Sequence, residues 1–195
     1  MKPALILIDL QEDYLARKEL APRKDALLGN VGKLLAAFRS LSLPIVHVIS
    51  IYRKDRSNWT LSMIQDNWPV VIEGTPGAKV AAEVRPLPGE PVVVKDRYSA
   101  FFRTDMDERL KAMGATDLVL AGINTHACIR TTAIDAFMRD WRVILPLECV
   151  DSWDPDHHRI TVEYFRKAKI ARIVPLEDFL AEIGSSGERP GSRQR

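Results

Sequence analysis

The sequence predicts an α/β protein with a Rossmann-like, doubly wound, mainly parallel sheet of six strands and helices on both faces. Short apolar runs alternate with helical patterns along the chain, and this order is typical of parallel sheets with crossover helices. The runs are apolar throughout, which indicates strands that are buried on both faces. The predicted strands are residues 4–9, 45–50, 91–95, 117–121, 143–147 and 171–174.

Helices are predicted where apolar residues recur at the spacing of a helical face. The longest covers residues 23–41, where leucine, valine and phenylalanine keep this spacing until Leu43 and Pro44 end it. Further helical patterns lie between or after the later strands, as a doubly wound sheet requires. They are residues 105–113, 127–140, 155–167 and 176–183.

Residues 51–77 have neither the period of a helix nor that of a strand. The segment mixes charged residues, turn-forming residues and two tryptophans. Long irregular segments inside a compact domain usually carry function. We therefore predict that this segment forms a wall or a lid over a site.

Length and composition indicate one domain. At 195 residues and 46% hydrophobic content, the chain is long enough to bury a full core. We predict a single domain over residues 1–183 and a flexible basic tail over residues 184–195. The tail holds three arginines and one glutamate, which accounts for the whole formal charge of +2. The body is therefore close to neutral, and no nucleic-acid partner is expected.

Cysteine content and hydropathy bear on the compartment. Two cysteines, Cys128 and Cys149, make no disulfide framework, which indicates a reducing environment. The apolar run at the N-terminus is too short for a signal peptide, and no stretch is long enough to span a membrane. We expect a cytoplasmic protein without a membrane partner.

Cys128 is the first candidate for chemistry, because it follows a predicted strand and Gly122 at the start of a predicted helix. Open α/β sheets bind ligands at the carboxyl ends of their strands, and the N–H groups of a helix N-terminus favour a thiolate or an oxyanion. A helix end supplies only ~0.3–1 kcal/mol, whereas lowering a thiol pKa by about two units needs about 2.7 kcal/mol. Without other groups, Cys128 would be a small buried hydrophobic residue.

Asp9 and Lys95 end two other predicted strands. Because the carboxyl ends of parallel strands share one edge, the side chains of Asp9, Lys95 and Cys128 can meet there. The carboxylate can accept the thiol proton, but its charge opposes the thiolate by about 4 kcal/mol at ~4 Å. A lysine nearby offsets this repulsion, which gives a base, a counter-charge and a nucleophile. Taken singly, Asp9 also suits a turn cap and Lys95 a solvated strand end.

Four stretches resemble the isochorismatase-like cysteine hydrolases, a family that includes nicotinamidase, N-carbamoylsarcosine amidase and ureidoacrylate amidohydrolase. They are ALILIDLQEDYL near the N-terminus, EGTPGAKV, VVVKDRYSAFFRTDMDERL around Lys95 and GINTHACIRTTAIDAF around Cys128. The resemblance covers residues 4–174. It implies the isochorismatase-like hydrolase fold and a triad of Asp9, Lys95 and Cys128 that cleaves a C–N bond through a thioester, which water then hydrolyses.

The resemblance also implies an oxyanion hole and an assembly. The family has a non-proline cis peptide bond before the nucleophile, which falls between Ile123 and Asn124 here. Its role there is to aim the backbone N–H of Asn124, with that of Cys128, at the oxyanion. Relatives more often have a small or β-branched residue at the position of Asn124. Relatives are usually dimers, tetramers or larger rings, so a homo-oligomer, a dimer or tetramer, is expected.

Several side chains are candidates for contacts with a small-molecule substrate. Two follow the first strand, two lie on the irregular segment as a cation for a carboxylate and an aromatic wall, and two follow Lys95. The pair after Lys95 either lines a pocket or packs on the sheet. Trp68 is a further candidate for the aromatic wall. The predicted substrate-binding residues are Gln11, Tyr14, Arg53, Trp59, Arg97 and Phe101.

No metal and no cofactor are expected. Nicotinamidases of this family carry an Asp-x-His pair and a further histidine after the second strand. Here that region reads HVISIYRKDRSNW, and no histidine occurs between Tyr52 and Thr125. The sequence therefore predicts a metal-independent hydrolase of a small amide, ureido or carbamoyl compound and argues against a nicotinamidase.

Other functions stay open at this point. His126 suggests a Cys-His protease, but two residues before Cys128 at a helix entry its ring should point away from the thiol. An isochorismatase that cleaves a vinyl ether would use the acid and the lysine without the thiol. A nucleotide- or flavin-binding module lacks support, because no G-x-G-x-x-G and no P-loop is present. A non-catalytic scaffold with the same fold is the remaining alternative.

Overall fold

The computed structural model describes residues 2–187, and over them the chain forms an open sheet of seven strands. The strands are β1 Pro3–Ile8, β2 Ile45–Ser50, β3 Val92–Lys95, β4 Asp117–Ile123, β5 Arg142–Pro146, β6 Val150–Asp151 and β7 Arg172–Val174. Their order is β3-β2-β1-β4-β5-β7, and β6 pairs with the end of β4. Every pairing is parallel.

Helices cover both faces of this sheet. Within the described residues they are α1 Glu12–Leu15, α2 Ala21–Ser40, α3 Leu61–Gln65, α4 Met106–Ala112, α5 Arg130–Phe137, α6 Pro155–Ala168 and α7 Leu176–Gly187. The central strand β1 separates two cores, because its successive side chains point to opposite faces. Its residues Ala4, Ile6 and Ile8 pack with α4, α5 and α6, whereas Leu5 and Leu7 pack with α2 and α7.

The predicted fold class is confirmed, with differences in detail. The sheet has one strand more than predicted, because β6 is only two residues long and too short to give a pattern. The predicted last helix continues past Ile183 to Gly187, so the start of the predicted tail is helical. The rest of that tail, residues 188–195, lies outside the described residues. No helix over residues 2–187 is long and apolar enough to cross a membrane.

The irregular segment 51–77 folds around a small core of its own. It contains the short helix α3, whose N-cap Thr60 accepts a hydrogen bond from Met63 N. Trp59 and Met63 are buried in this core together with Val71. The segment is therefore packed against the domain, and closure over a site stays a prediction.

Gly122 allows β1 and β4 to approach each other just before the strand ends that carry the predicted site. A Cβ atom at this position would lie 2.0 Å from the carbonyl oxygen of Ile8. The φ of Gly122 is 123°, a value that L side chains rarely adopt. Asp9 follows Ile8 directly, and the turn with Cys128 follows β4. The missing side chain at Gly122 thus sets the spacing between the two strand ends.

Candidate active site

Four polar side chains come from four neighbouring strand ends at the carboxyl edge of the sheet. Lys95 ends β3 and Ser50 ends β2, and these two residues are partners in the parallel ladder. Asp9 follows β1, and Cys128 lies in the turn after β4. All four are buried, with 1% exposure for Asp9, 2% for Ser50 and Lys95, and 8% for Cys128. The sheet order therefore explains why residues so far apart in sequence meet.

The Lys95 ammonium holds this group together. Its Nζ donates to Asp9 Oδ2 at 2.7 Å, to Ser50 Oγ at 2.7 Å and to Cys128 Sγ at 3.4 Å. An ammonium has three donors, and all three have an acceptor here. Ser50 Oγ in turn donates to Asp9 Oδ1 at 2.9 Å. Lysine from the edge strand β3 thus reaches across β2 to the carboxylate after β1.

The charges of the site favour a protonated thiol at rest. Burial and then the Asp9 carboxylate raise the pKa of the Cys128 thiol far above its ordinary value, while Lys95 acts in the opposite direction. Burial alone would lower the pKa of Lys95, but the Asp9 carboxylate leaves it raised. The helix N-terminus therefore does not produce a resting thiolate. The Asp9 carboxylate, which shares the Lys95 ammonium with the sulfur, is the candidate acceptor for the thiol proton.

Cys128 lies in a π-helical turn, Thr125–Ile129, and not in the first turn of an α-helix. The predicted helix 127–140 is replaced by this turn and by α5, which ends at Phe137. Both Ala127 N and Ile129 N donate to the carbonyl oxygen of Asn124, at 3.0 and 3.2 Å. The peptide bond between Ile123 and Asn124 is cis. π-Helical turns of this kind frequently occur at functional sites.

Two tyrosines accompany the triad. Tyr14 is half-buried on α1, and Tyr52 is buried just after β2. Burial, followed by the charges of Asp9 and Cys128, raises the pKa of Tyr14 well above its ordinary value. Burial raises the pKa of Tyr52 to about 12, with the Lys95 charge opposing the shift. Both phenols therefore keep their protons at neutral pH.

Gln11 has a supporting position instead of the substrate contact that the sequence predicted. Its Nε2 donates to the carbonyl oxygens of Ser50 and Ala78 at 2.9 Å each, and its Oε1 accepts from Ser50 N at 2.8 Å. The side chain has no exposed surface. Because its amide is used inside the protein, Gln11 fixes Ser50 and has no atom left to face a ligand.

The two candidates on the irregular segment contact each other. Trp59 Nε1 donates to the carbonyl oxygen of Arg53 at 2.9 Å. The Trp59 ring is buried in the small core and is stacked by Arg56, whose guanidinium carbon lies 4.8 Å from the ring centroid. The Arg53 side chain is exposed. Neither residue forms a hydrogen bond or an ion pair with the triad in the described part of the chain.

The two candidates after Lys95, Arg97 and Phe101, lie in different surroundings. Arg97 is half-buried, and its guanidinium donates to the carbonyl oxygens of Asn58 and Asp96 at 3.0 and 2.6 Å. It also lines an apolar cavity of about 350 Å³. Phe101 packs in the core against the sheet, with Arg139 stacked on its ring at 5.2 Å. Arg97 thus lines a pocket, whereas Phe101 packs against the sheet.

His126 is committed to a neighbouring loop. Its Nδ1 lies 2.5 Å from Ser152 Oγ, and its ring meets the Trp153 ring edge-on with centroids 5.0 Å apart. This position agrees with the expectation that His126 points away from the thiol. Among residues 2–187, no three His, Cys, Asp or Glu side chains are grouped so that they could hold a metal ion.

Sequence reasoning missed Ser50 and Tyr52. Ser50 bridges the acid and the amine, and Tyr52 lies within the electrostatic reach of all three triad residues. The rule that identified Asp9 and Lys95, a polar residue at the end of a buried strand, applies equally to Ser50. Serine carries no charge, so Ser50 does not stand out in the sequence. Nothing in the pattern of residues 51–77 points to Tyr52.

A buried acid, amine and thiol thus meet at the carboxyl edge of an α/β sheet. The family model described as Isochorismatase domain matches residues 3–178, and the chain belongs to that family.

Three similar proteins illustrate the range of that family. Maleamate amidohydrolase of Pseudomonas putida is 31% identical over 190 residues, which cover 93% of this chain and 87% of that protein. N-carbamoylsarcosine amidase of Thermoplasma acidophilum has a structure with a TM-score of 0.77 at 31% identity, covering 90% of this chain and 97% of that one. Enterobactin synthase component B of Escherichia coli K12 is 26% identical over 181 residues. That match covers 92% of this chain but only 62% of the longer protein.

Proposed function

We propose that this hydrolase cleaves the C–N bond of a small amide, ureido or carbamoyl compound through a thioester on Cys128. The observation that carries the proposal is the Lys95 ammonium, which touches the Asp9 carboxylate and the Cys128 sulfur at the same time. A base and a nucleophile joined by one counter-charge suit acyl transfer. The names of two relatives, maleamate amidohydrolase and N-carbamoylsarcosine amidase, support an amide-type bond.

The first half-reaction forms the acyl-enzyme. Asp9 accepts the thiol proton of Cys128 while the sulfur attacks the carbonyl carbon of the substrate. Lys95 offsets the negative charge that develops on the sulfur, which the buried site otherwise opposes. The protonated Asp9 then gives its proton to the leaving nitrogen. The C–N bond breaks, ammonia or an amine leaves, and the thioester remains.

The second half-reaction returns the enzyme to its starting state. Asp9, again a carboxylate, takes a proton from a water molecule that attacks the thioester carbonyl. The tetrahedral intermediate expels the sulfur of Cys128, which recovers its proton, and an acid product leaves. Asp9 acts as base and acid in turn, so a single carboxylate serves both steps.

The backbone N–H groups of Asn124 and Cys128 are proposed to stabilise the oxyanion. Cys128 belongs to the π-helical turn and Asn124 to its entry. Preorganised N–H donors of this type are worth about 2.7–4 kcal/mol each when they face the developing charge. Tyr14 and Arg97 are proposed to line the substrate pocket. The proposed partner is a small-molecule substrate.

Replacement of each cysteine in turn tests the proposal. Ammonia release is measured with a panel of primary amides, ureido acids and N-carbamoyl amines. Cys128→Ala removes the nucleophile and should reduce turnover to background. Cys149→Ala is the matched control, because Cys149 is buried in the opposite core and takes no part in the site. Full turnover by Cys128→Ala would reject the thioester mechanism.

A second candidate is an isochorismatase that cleaves a vinyl ether. The buried Asp9–Lys95 pair favours it, since protonation of a vinyl ether needs an acid and a counter-charge but no sulfur. Alkylation of Cys128 separates the two candidates. Isochorismate turnover that survives alkylation would favour the second one, whereas loss of amide turnover on alkylation supports the first.

A further inference from the structure

Three consecutive residues at the start of the π-helical turn bind the same neighbouring segment. This segment, residues 152–158, joins β6 to the first turn of α6, and we call it the support segment. The contacts are Trp153 N to Asn124 Oδ1 at 3.4 Å, Thr125 Oγ1 to His158 Nδ1 at 2.9 Å and His126 Nδ1 to Ser152 Oγ at 2.5 Å. Thr125 and Ser152 have no exposed surface, so water does not compete for their hydroxyls.

The support segment is fixed by hydrogen bonds of its own. Asp151, directly before it, pairs with Arg23 of α2 at 2.7 Å, and the same guanidinium donates to the carbonyl oxygen of Ser152 at 2.7 Å. Ser152 Oγ accepts from Asp154 N at 3.1 Å, and Asp154 Oδ1 accepts from His157 N at 2.9 Å as the N-cap of α6. The segment therefore offers its hydrogen-bonding groups to the turn from fixed positions.

Asn124 carries one of the two proposed oxyanion donors. Its backbone N–H has no acceptor among residues 2–187, although the residue is only 4% exposed. A buried residue with an unpaired N–H is rare, and a role in catalysis is one explanation for it. Ala127 N and Ile129 N both donate to the carbonyl oxygen of Asn124. A shift of Asn124 is therefore passed to the residues on both sides of Cys128.

The triad does not hold this part of the backbone. The hydrogen bond from Lys95 Nζ to Cys128 ends on the sulfur, at 3.4 Å, and leaves the backbone N–H groups unrestrained. α5 continues from the far end of the turn, and the near end carries the contacts to the support segment. Oxyanion donors must be aimed before the reaction, because a misplacement of about 1 Å can cost about 10²-fold in rate.

We propose that the support segment holds the oxyanion donors in position, with Thr125 and His158 as the main pair and His126 and Ser152 as the second. The inference rests on the proposed thioester chemistry and adds positioning residues to it. Over residues 2–187 none of these four side chains hydrogen-bonds to the triad, so they act through the backbone of the turn. The expected signature is a lower kcat with little change in KM, since the oxyanion exists only after the attack.

Two substitutions at each end of the main pair separate positioning from general stability. Thr125→Val keeps the shape and removes the hydroxyl, whereas Thr125→Ser keeps the hydroxyl. His158→Leu removes the ring nitrogens, whereas His158→Asn can place a polar atom near the position of Nδ1. With an amide that the wild type turns over, Thr125→Val and His158→Leu should lower kcat roughly 10- to 100-fold and leave KM within about two-fold. Thr125→Ser and His158→Asn should stay within about three-fold of the wild type.

Two controls accompany these variants. Alkylation of Cys128 by iodoacetamide should stay within about two-fold of the wild-type rate in all four, because Asp9 and Lys95 are unchanged. Thr116→Val makes the same chemical change at the amino edge of the sheet, where the Thr116 hydroxyl accepts from Lys2 N at 2.8 Å. This variant should keep the wild-type kcat and KM.

Aldehyde binding separates this proposal from the proposed hydrolysis. When the Cys128 thiol adds to butyraldehyde, the sulfur bonds to the carbonyl carbon, the carbonyl oxygen takes the thiol proton, and nothing leaves. The oxygen of this hemithioacetal lies where the oxyanion would form. Its affinity, measured as protection of Cys128 from iodoacetamide, should weaken roughly ten-fold in Thr125→Val and recover in Thr125→Ser.

The outcomes distinguish the two proposals. Weaker aldehyde binding by Thr125→Val without ammonia release from any amide supports the positioning pair, while the hydrolysis proposal fails. Wild-type kcat and aldehyde affinity in Thr125→Val and His158→Leu would overturn the positioning pair and leave the hydrolysis proposal intact. An equal loss in Thr125→Val and Thr125→Ser would also overturn it. So would a wild-type protein that neither releases ammonia nor binds the aldehyde, because no oxyanion would then form at the turn.

Discussion

Two ion pairs of equal length lie at opposite ends of the same sheet. At the carboxyl edge, Lys95 Nζ is 2.7 Å from Asp9 Oδ2, with the two side chains 0% and 1% exposed. At the amino edge, where β4 and β5 begin, Arg142 Nε is 2.7 Å from Asp117 Oδ1, with Arg142 69% exposed. The distances are the same, so any difference in what the pairs do comes from their surroundings.

Cavity size does not single out the carboxyl edge. The amino edge has an open groove of about 860 Å³ beside Asp117 and Arg142. The carboxyl edge has a buried acid, amine and thiol in mutual contact. A charge pair removed from water is costly unless every donor is satisfied, and the carboxyl-edge pair meets that requirement through Ser50 and Cys128. Burial and convergence, not cavity volume, are therefore the grounds on which the chemistry is proposed at the carboxyl edge.

The largest expected effect comes from removing the base at the carboxyl edge. Asp9→Asn cannot accept the thiol proton, so amide turnover should fall about 10³-fold or more. The negative charge of Asp9 raises the pKa of Cys128, so its removal should lower that pKa and increase the thiolate fraction. Alkylation of Cys128 by iodoacetamide at pH 8 should therefore become roughly ten-fold faster in the inactive variant.

Slower turnover together with faster alkylation is expected only if the Asp9 carboxylate both accepts the thiol proton and raises the pKa of Cys128. Peptide mapping separates alkylation at Cys128 from alkylation at Cys149. If Asp9→Asn slowed turnover and alkylation together, the carboxylate would act by holding the fold, and the two ion pairs would differ only in burial.

The next largest effect is on stability at the same edge. Lys95→Met leaves the Asp9 charge buried beside Ser50 alone, which should cost about 3–5 kcal/mol in the free energy of unfolding measured by urea titration. The double variant Asp9→Asn with Lys95→Met removes both charges and should recover most of that loss. A single-variant loss under about 1 kcal/mol would mean that the buried pair behaves like a surface pair.

A smaller effect is expected where the two central strands approach. Gly122→Ala introduces a Cβ against the Ile8 carbonyl and an unfavourable φ, which should cost about 2–4 kcal/mol in urea unfolding. Gly29→Ala is the control, because nothing lies within 4 Å of a Cβ there and the residue is inside α2. That change should stabilise the protein by about 0.5–1 kcal/mol. Equal stability of the two variants would refute a spacing role for Gly122.

The smallest effect belongs to the amino edge. Arg142→Gln breaks a pair whose arginine is exposed and whose carboxylate is buried, and Tm should fall by less than about 3 °C because Asp117 keeps the Thr116 hydroxyl as a donor. Amide turnover should stay at the wild-type level. A drop in turnover would show that the groove beside Asp117 communicates with the site, against the separation drawn between the two edges.

The fold and the residues Asp9, Lys95 and Cys128 could be predicted from the sequence because local patterns indicate them. Buried strands appear as apolar runs, and a polar residue at the end of such a run lies at the sheet edge whatever the loops do. Asp9 and Lys95 follow this rule, and Cys128 lies in the turn after β4.

Other features depend on contacts that no local pattern encodes. The stack of Arg17 on Trp68 and Trp153 joins three segments that are far apart in sequence. The raised pKa of Cys128 results from burial and a neighbouring charge, so it could not be read from the helix N-terminus that suggested a thiolate. The contacts of Gln11 depend on the fold in the same way, because its partners are Ser50 at the end of β2 and Ala78 in a distant loop.

Intact-mass spectrometry of rapidly quenched reactions tests the central claim most directly. Wild-type protein mixed with an amide that it turns over should gain the mass of the acyl group, and peptide mapping should locate this group on Cys128. Asp9→Asn should show little or no adduct, and Cys128→Ala none. Turnover of the amide at the wild-type rate with no adduct on Cys128 at any quench time would contradict the account.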